Sequence, residues 1–231
     1  MASEIERKYL VESDAWRTLP ARVQEVTQAY VRDSDANDRL TIIFNGSSQA
    51  QIALRHGESI HSFKVGGAGF EDFAALRELP EYDEDSGVLT VGHPVECRVR
   101  LVEEEGQKKA YLTIKKFIDD PEARGEYEIA MTVIDAEKLL ADGFVIDRVD
   151  KTRSKIEYEG HHWDVDVYKG RHKGLITAEV EVADIGLLNT LPQLPGAGRV
   201  VSGVEFLNNR VLGRNGLPPD WRQRLDKLRP L

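Results

Sequence analysis

Charged side chains recur on every second residue along this chain, beginning with Glu4-Ile5-Glu6-Arg7-Lys8. Successive side chains of a strand point to opposite faces, so Glu4, Glu6 and Lys8 fall on one face while Ile5 and Tyr9 look the other way. The pattern returns in Arg98 and Arg100 around Val99, in Lys115 after Leu112 and Ile114, and in Arg124, Glu126 and Glu128 around Tyr127. Lys151 and Arg153 form another such pair, Asp164 and Asp166 alternate with valines, and so do Glu179 and Glu181. One segment of this kind is ordinarily a half-exposed strand with a solvated outer face. Several together make a sheet with one heavily charged face, and if the sheet curls that face lines a barrel. Carboxylates there suit divalent cations and the basic groups suit an anionic ligand, which offsets the cost of burying charge.

The same patterning predicts the remaining elements. Residues 3–11 read as a strand, followed by a short helix capped by Ser13 with Trp16 and Leu19 on its apolar side, and by a second strand over 24–31. Residues 32–95 differ in character: a polar turn-rich opening, a strand over 40–44, a hairpin over 51–65, a break at Gly66, Gly67 and Gly69, a helical stretch over 70–79 and an acidic loop over 81–85. Strands are expected over 96–103, 109–118 and 124–132, then a helix capped by Asp135 and stopped at Gly143. Three more strands follow over 146–158, 162–168 and 175–182. A Pro/Gly-rich loop leads to a helix over 205–212 ended by Gly213, and Pro219 opens a last amphipathic helix with Trp221, Leu225 and Leu228. About eight strands with helices outside them is the expected architecture.

The 231 residues suffice for one substantial core or two small domains. A formal net charge of -9 argues against a general binder of nucleic acid or anionic membrane, without excluding a locally basic pocket. Cys97 is the single cysteine, so neither an intramolecular disulfide nor a Cys-based zinc site is available. The N-terminus lacks the apolar core of a signal peptide and no stretch approaches a membrane span, so a cytoplasmic protein is expected.

The alternating segments, taken in order, resemble the motifs of the CYTH superfamily, the triphosphate tunnel metalloenzymes. The residues that carry the likeness are Glu4-Ile5-Glu6-Arg7-Lys8, Arg98-Val99-Arg100, Leu112-Thr113-Ile114-Lys115, Arg124-Gly125-Glu126-Tyr127-Glu128, Lys151-Thr152-Arg153, Trp163-Asp164-Val165-Asp166 and Ala178-Glu179-Val180-Glu181-Val182. The likeness covers roughly residues 1–31 and 96–213 and is strongest to the short bacterial inorganic triphosphatases. It implies an α+β fold, an eight-stranded antiparallel β-barrel forming a triphosphate tunnel with helices packed outside. The whole of 1–231 would be one such domain, with 32–95 as an inserted subregion and 219–229 as a C-terminal helix.

Carried over by position, the resemblance implies that Lys8, Arg98, Arg100, Lys115, Lys151 and Arg153 grip the phosphates, with Glu128 also facing the tunnel beside Glu126. Glu4, Glu6, Asp166, Glu179 and Glu181 would hold metal, and Glu4, Glu6, Lys8 and Lys151 would form the catalytic group. Charge-assisted contacts from Arg and Lys suit a polyanion. A carboxylate-only donor set suits Mg2+ or Mn2+, two ions by resemblance. The implied reaction is in-line attack of a metal-activated water on a terminal phosphorus of inorganic tripolyphosphate, thiamine triphosphate or a nucleoside triphosphate. A class IV-type adenylate cyclase and a non-catalytic polyphosphate- or nucleotide-binding module are the competing readings. No base-recognition site is evident for the first, and retention of the carboxylates argues against the second. A small-molecule triphosphate is the expected partner, with no nucleic acid and no membrane.

The block 32–95 departs from the short family members. Arg55 and Lys64 faintly mimic the pair Arg100 and Lys115, so an alternative strand register through the insertion stays open. The insertion itself reads equally as a lid, a homodimer contact or a surface elaboration, and the last helix equally as a tunnel plug or a packing or dimerisation helix. Gly66-Gly67-Ala68-Gly69 lacks the Lys-Ser/Thr and the βαβ setting of a phosphate loop and is read as a turn. His161 and His162 point to opposite faces and are read as surface turn residues, and Cys97, opposite in facing to Arg98, as a small packed residue.

Overall fold

The structure, a computed structural model, describes residues 5–31, 39–66, 70–91, 95–117, 124–182 and 184–228. Its strands are β1 (Ile5–Val11), β2 (Ala21–Val31), β3 (Arg39–Phe44), β4 (Gln49–His56), β5 (Ser59–Gly66), β6 (Tyr82–Asp83), β7 (Val88–Val91), β8 (Val95–Glu104), β9 (Gln107–Phe117), β10 (Arg124–Met131), β11 (Val145–Tyr158), β12 (His161–Tyr168), β13 (Ile176–Val182) and β14 (Ala197–Val200). Short α-helices are α1 (Phe70–Ala74), α2 (Val133–Ala141), α3 (Asn209–Asn215) and α4 (Trp221–Lys227). The antiparallel character expected from the alternation is present, but the strands among the described residues number fourteen and not eight. Much of the excess comes from the insertion, where the acidic loop and the residues after it form β6 and β7. The chain divides into two compact units, one built on Gln28–Val102 and Lys108–Ile146, the other on Glu4–Thr27, Glu103–Gln107 and Asp147–Leu231. Among the described residues no helix is long and apolar enough to cross a membrane.

In the first unit the insertion builds a five-stranded sheet, β5-β4-β3-β7-β6. Ile42 stands opposite Ile52 and Leu89, and Ile52 opposite Phe63, so one face of this sheet is continuous apolar surface. That face shares a core with Phe73 and Leu76 and with Cys97, Val99, Leu112, Ile114 and Ile129 of β8, β9 and β10. The insertion is therefore half of a hydrophobic core. Arg55 and Lys64 lie on the opposite, exposed face of this sheet. Cys97 is buried in this core, where desolvation pushes its thiol up to about 12. The helical stretch predicted over 70–79 is α1 followed by a 3-10 turn at Ala75–Glu78. The N-cap of α2 is Thr132 rather than Asp135: the Thr132 hydroxyl accepts from the Asp135 backbone N–H at 3.1 Å and donates to its carboxylate at 2.6 Å.

In the second unit the strand order is β11-β12-β13-β1-β14. The β11–β12 hairpin turns on Glu159 and Gly160, both at positive φ (49° and 77°), the backbone of a two-residue turn whose twist matches its strands. One sheet face carries Tyr9, Val11, Ile156, Trp163, Val165, Ala178 and Val180 into a core with Trp16. A second core joins Leu10, Val149, Tyr168 and Leu175 to Leu207, Leu212, Trp221 and Leu225 of the C-terminal segment, so α3 and α4 pack on this unit. The helix predicted after Ser13 is a single 3-10 segment, Asp14–Thr18. Gly213 does not end its helix: it sits buried inside α3, and a Cβ there would lie 2.0 Å from the Asp147 carbonyl oxygen. Gly216, at φ 74°, makes the stop instead. Glu4, the opening 32–38 of the insertion and the expected turn at Gly67 to Gly69 lie outside the described residues.

Candidate functional site

The second face of the β11-β12-β13-β1 sheet is charged, and strand register lays its side chains out in rungs. Lys151 stands opposite Tyr168, Arg153 opposite Asp166, and Asp166 opposite Thr177. The next rung runs Lys155, Asp164, Glu179 and Lys8, and the one beyond it runs Glu157, His162, Glu181 and Glu6. Glu181 faces its β12 neighbour by the common parity of the strands, and Glu6 is its direct partner on β1.

The groups at the buried end neutralise one another. Lys151 donates to Asp166 Oδ2 at 2.5 Å with both side chains out of solvent. Arg153 grips both Asp166 oxygens at 2.7 Å, reaches Asp164 at 2.6 Å and Glu179 at 3.2 Å, and so ties three carboxylates together. Lys8 pairs with Glu179 at 2.7 Å. Burial alone would raise the carboxyls of Asp166 and Glu179, but the cations beside them hold both below the usual carboxylate range: Lys151 and Arg153 for Asp166, Lys8, Lys151 and Arg153 for Glu179. Burial works against the Lys8 ammonium, yet Glu179 overcomes it and raises its pKa. For Lys151 burial prevails over Asp166, with Arg153 adding to it, and its pKa falls to about 8. Burial also raises the Tyr168 phenol, which donates to Asn209 at 2.8 Å.

Whether this face suits a divalent cation is decided by its donors. Among the described residues no three carboxylate, imidazole or thiol groups converge as a ready metal site. The carboxylates nevertheless exceed the cations on this face, with Glu6, Glu157, Asp164, Asp166, Glu179 and Glu181 set against Lys8, Lys151, Arg153 and Lys155. Glu6 and Glu181, both exposed, stand directly opposite each other, an arrangement that like charge makes unfavourable and a shared hard cation would relieve. The donor chemistry therefore fits a hard divalent cation, and Asp166, whose oxygens are engaged by Lys151 and Arg153, would have to release them to join it.

The first unit carries its own polar cluster on β8, β9 and β10. Arg100 donates to Glu128 at 2.5 Å, Thr113 to the same oxygen at 3.0 Å, and Arg98 to Thr113 at 3.2 Å, with Glu128 also 4.0 Å from Arg98. Arg100 lies over the Tyr111 ring at 5.5 Å. The alternate residues Cys97, Val99, Leu112, Ile114, Tyr127 and Ile129 fill the core behind this cluster. Lys115 and Glu126 are paired across β9 and β10. Their side chains lie outside what is described.

The structure thus gathers Lys8, Lys151, Arg153, Asp166 and Glu179 into one network, and Arg98, Arg100 and Glu128 into another. Glu6 and Glu181 share the first face at its exposed end. Thr113, Asp164, Lys155 and Tyr168 were missed as site residues, although each has the parity of a predicted neighbour two positions away.

An inorganic triphosphatase of Acetivibrio thermocellus is 32% identical to this chain over 116 residues, which cover 50% of the chain and 70% of that protein. The chain belongs to the CYTH superfamily, among its bacterial triphosphatases. No family model matches the sequence. A crystal structure of an inorganic triphosphatase superposes with a TM-score of 0.48 at 20% identity, covering 92% of this chain and 95% of that one. The PH1819 protein of Pyrococcus horikoshii OT3 superposes with a TM-score of 0.44 at 18% identity, covering 88% and 97%. Within this CYTH chain Glu6, Lys8, Arg98, Arg100, Glu128, Lys151, Arg153, Asp164, Asp166, Glu179 and Glu181 of the motifs that carried the resemblance fall on the two charged faces, at the alternate positions that the strand period requires.

Proposed function

We propose that this protein is a metal-dependent triphosphatase that hydrolyses inorganic tripolyphosphate or a related triphosphate to orthophosphate and diphosphate. The observation that carries the reading is the buried Lys151, Arg153 and Lys8 network on a sheet face rich in carboxylates, in a chain related to an inorganic triphosphatase. Lys8, Lys151 and Arg153 bind phosphoryl oxygens by charge-assisted hydrogen bonds, and Arg98 and Arg100, with Lys115, do the same from β8 and β9. An entering triphosphate takes over donors that the carboxylates now hold, so Asp166, Glu179 and Glu128 keep the cations charged and aimed before substrate arrives. Glu6 and Glu181, with Glu4 and Glu179, would hold the divalent ions. Such ions neutralise phosphate charge and lower the pKa of water at neutral pH. Phosphoryl transfer depends on positioning and electrostatics more than on a covalent nucleophile, and this network supplies both. The closed eight-stranded barrel of the family and a cytoplasmic setting belong to this proposal.

The test is phosphate release from tripolyphosphate, ATP and thiamine triphosphate with magnesium or manganese and with chelator. Metal-dependent release of orthophosphate supports the reading. Cyclic AMP from ATP, or binding without release, would replace it.

A further inference from the structure

Lys151, Arg153 and Lys155 occupy alternate positions of β11 on the charged face, and their exposure rises in steps, from 2% to 13% to 39% of the side chain. The residues across the sheet follow the same gradient. Asp166 and Thr177 beside Arg153 are buried, Asp164 and Glu179 beside Lys155 are partly open, and Glu181, Glu6 and His162 on the next rung are exposed. This face has a closed end at Lys151, where Tyr168 meets Asn209 and the core around Leu212, and an open end beyond Lys155.

Lys155 is also the cation with the loosest partner. Its ammonium is 3.8 Å from Asp164, whose other oxygen accepts from Arg153 at 2.6 Å. Lys8 and Lys151 by contrast hold their carboxylates at 2.7 and 2.5 Å. A phosphate arriving at Lys155 displaces little, whereas one arriving at Lys151 must compete with a buried ion pair.

Resting on the triphosphatase reading, we propose that Lys155 is a specificity-determining residue that contacts the outermost phosphate of a linear triphosphate seated at Lys151 and Arg153. Lys151 and Arg153 meet on the same Asp166 oxygen at 2.5 and 2.7 Å, close enough to hold adjacent phosphates, and Lys155 beside Asp164 is the next cation outward along β11. A diphosphate resting on Lys151 and Arg153 ends short of Lys155. A third phosphate reaches it, and the site thereby favours three or more linked phosphates over two.

The test titrates wild-type protein, Lys155→Ala and Lys155→Arg with diphosphate, tripolyphosphate and tetrapolyphosphate, in chelator and in magnesium, beside phosphate release from tripolyphosphate. Lys155→Ala should weaken tripolyphosphate and tetrapolyphosphate roughly 3- to 10-fold, the scale of one half-exposed ion pair, and leave diphosphate within about twofold. Lys155→Arg should restore the difference. Equal weakening of all three ligands, or no weakening, overturns the proposal. Length-dependent binding that the variant loses, without phosphate release by the wild type, sustains the role of Lys155 and removes the hydrolytic reading; a wild type that binds none of the three removes both.

Discussion

Lys151 Nζ lies 2.5 Å from Asp166 Oδ2, and neither side chain reaches solvent. Two charges taken out of water persist only when each is the other's counterion and the remaining valences are filled, as Arg153 does for Asp166. Asp166→Asn would leave two buried cations without their shared carboxylate. Removing one partner of a buried pair costs about 3–5 kcal/mol, so the variant should lose most of a typical domain's stability. Denaturant unfolding measures this, and Asp166→Asn combined with Lys151→Met should recover part of the loss. A single variant within about 1 kcal/mol of wild type would show that the pair is not a structural element.

Glu6 sits at the opposite extreme of the same face, exposed and directly across from Glu181. Glu6→Gln should change stability by no more than about 0.5 kcal/mol, because an exposed carboxylate holds no part of the core. Turnover should fall by about 100-fold or more if this carboxylate holds the metal, on the scale of losing one electrostatic element of a phosphoryl-transfer site. Thermal melts and metal titrations of turnover, run together, check both halves. An unchanged rate removes Glu6 from the metal site.

The contrast between Asp166 and Glu6 explains what the sequence could and could not convey. Strand alternation places both on one face because parity is a local property of the backbone. Depth along that face depends on what packs at its ends, and the Leu212 and Trp221 core that closes one end comes from a segment far along the chain. Alternation also carried Thr113, Asp164 and Lys155, but motif resemblance gave them no role. The insertion hid its architecture for another reason. Its two shortest strands, β6 and β7, flank an acidic, turn-rich stretch that masks the strand-prone Val88, Thr90 and Val91, and pairing with β3 and burial of Leu89 hold β7 in place. Gly213 looked like a helix stop because glycine usually is one; here its missing Cβ admits the Asp147 carbonyl.

Arg100 and Arg55 supply a paired test of the first unit. Arg100 is partly buried against Glu128 and Tyr111, whereas Arg55 is exposed on the outer face of the inserted sheet. Arg100→Ala should raise the Michaelis constant for tripolyphosphate and lower turnover, as for a phosphate contact strengthened in the transition state. Arg55→Ala should leave both within about twofold, since exposed substitutions away from a site are near neutral. Steady-state kinetics decides, and the reverse ranking would move the phosphate contacts to the insertion.

His172 gives the fold a pH dependence separate from that of the charged face. It is buried, its Nε2 is 2.8 Å from the Leu212 carbonyl oxygen, and burial lowers its pKa below the ordinary value of 6.5, with Arg171 adding to the effect and Leu212 and Asp150 opposing it. A base whose folded pKa is depressed binds its proton more readily when unfolded, so stability is full above 6.5 and declines as pH falls through that value toward the folded pKa. Asp150, Asp166 and Glu179 have depressed carboxyl pKa values and withdraw their contribution only nearer the carboxylate range, so the upper part of the acid limb belongs to His172. Melting temperature between about pH 7 and pH 5.5 should therefore fall in the wild type and stay flatter in His172→Gln, whose amide donates to the same carbonyl without titrating. Parallel slopes in the two proteins would assign the acid sensitivity to another group.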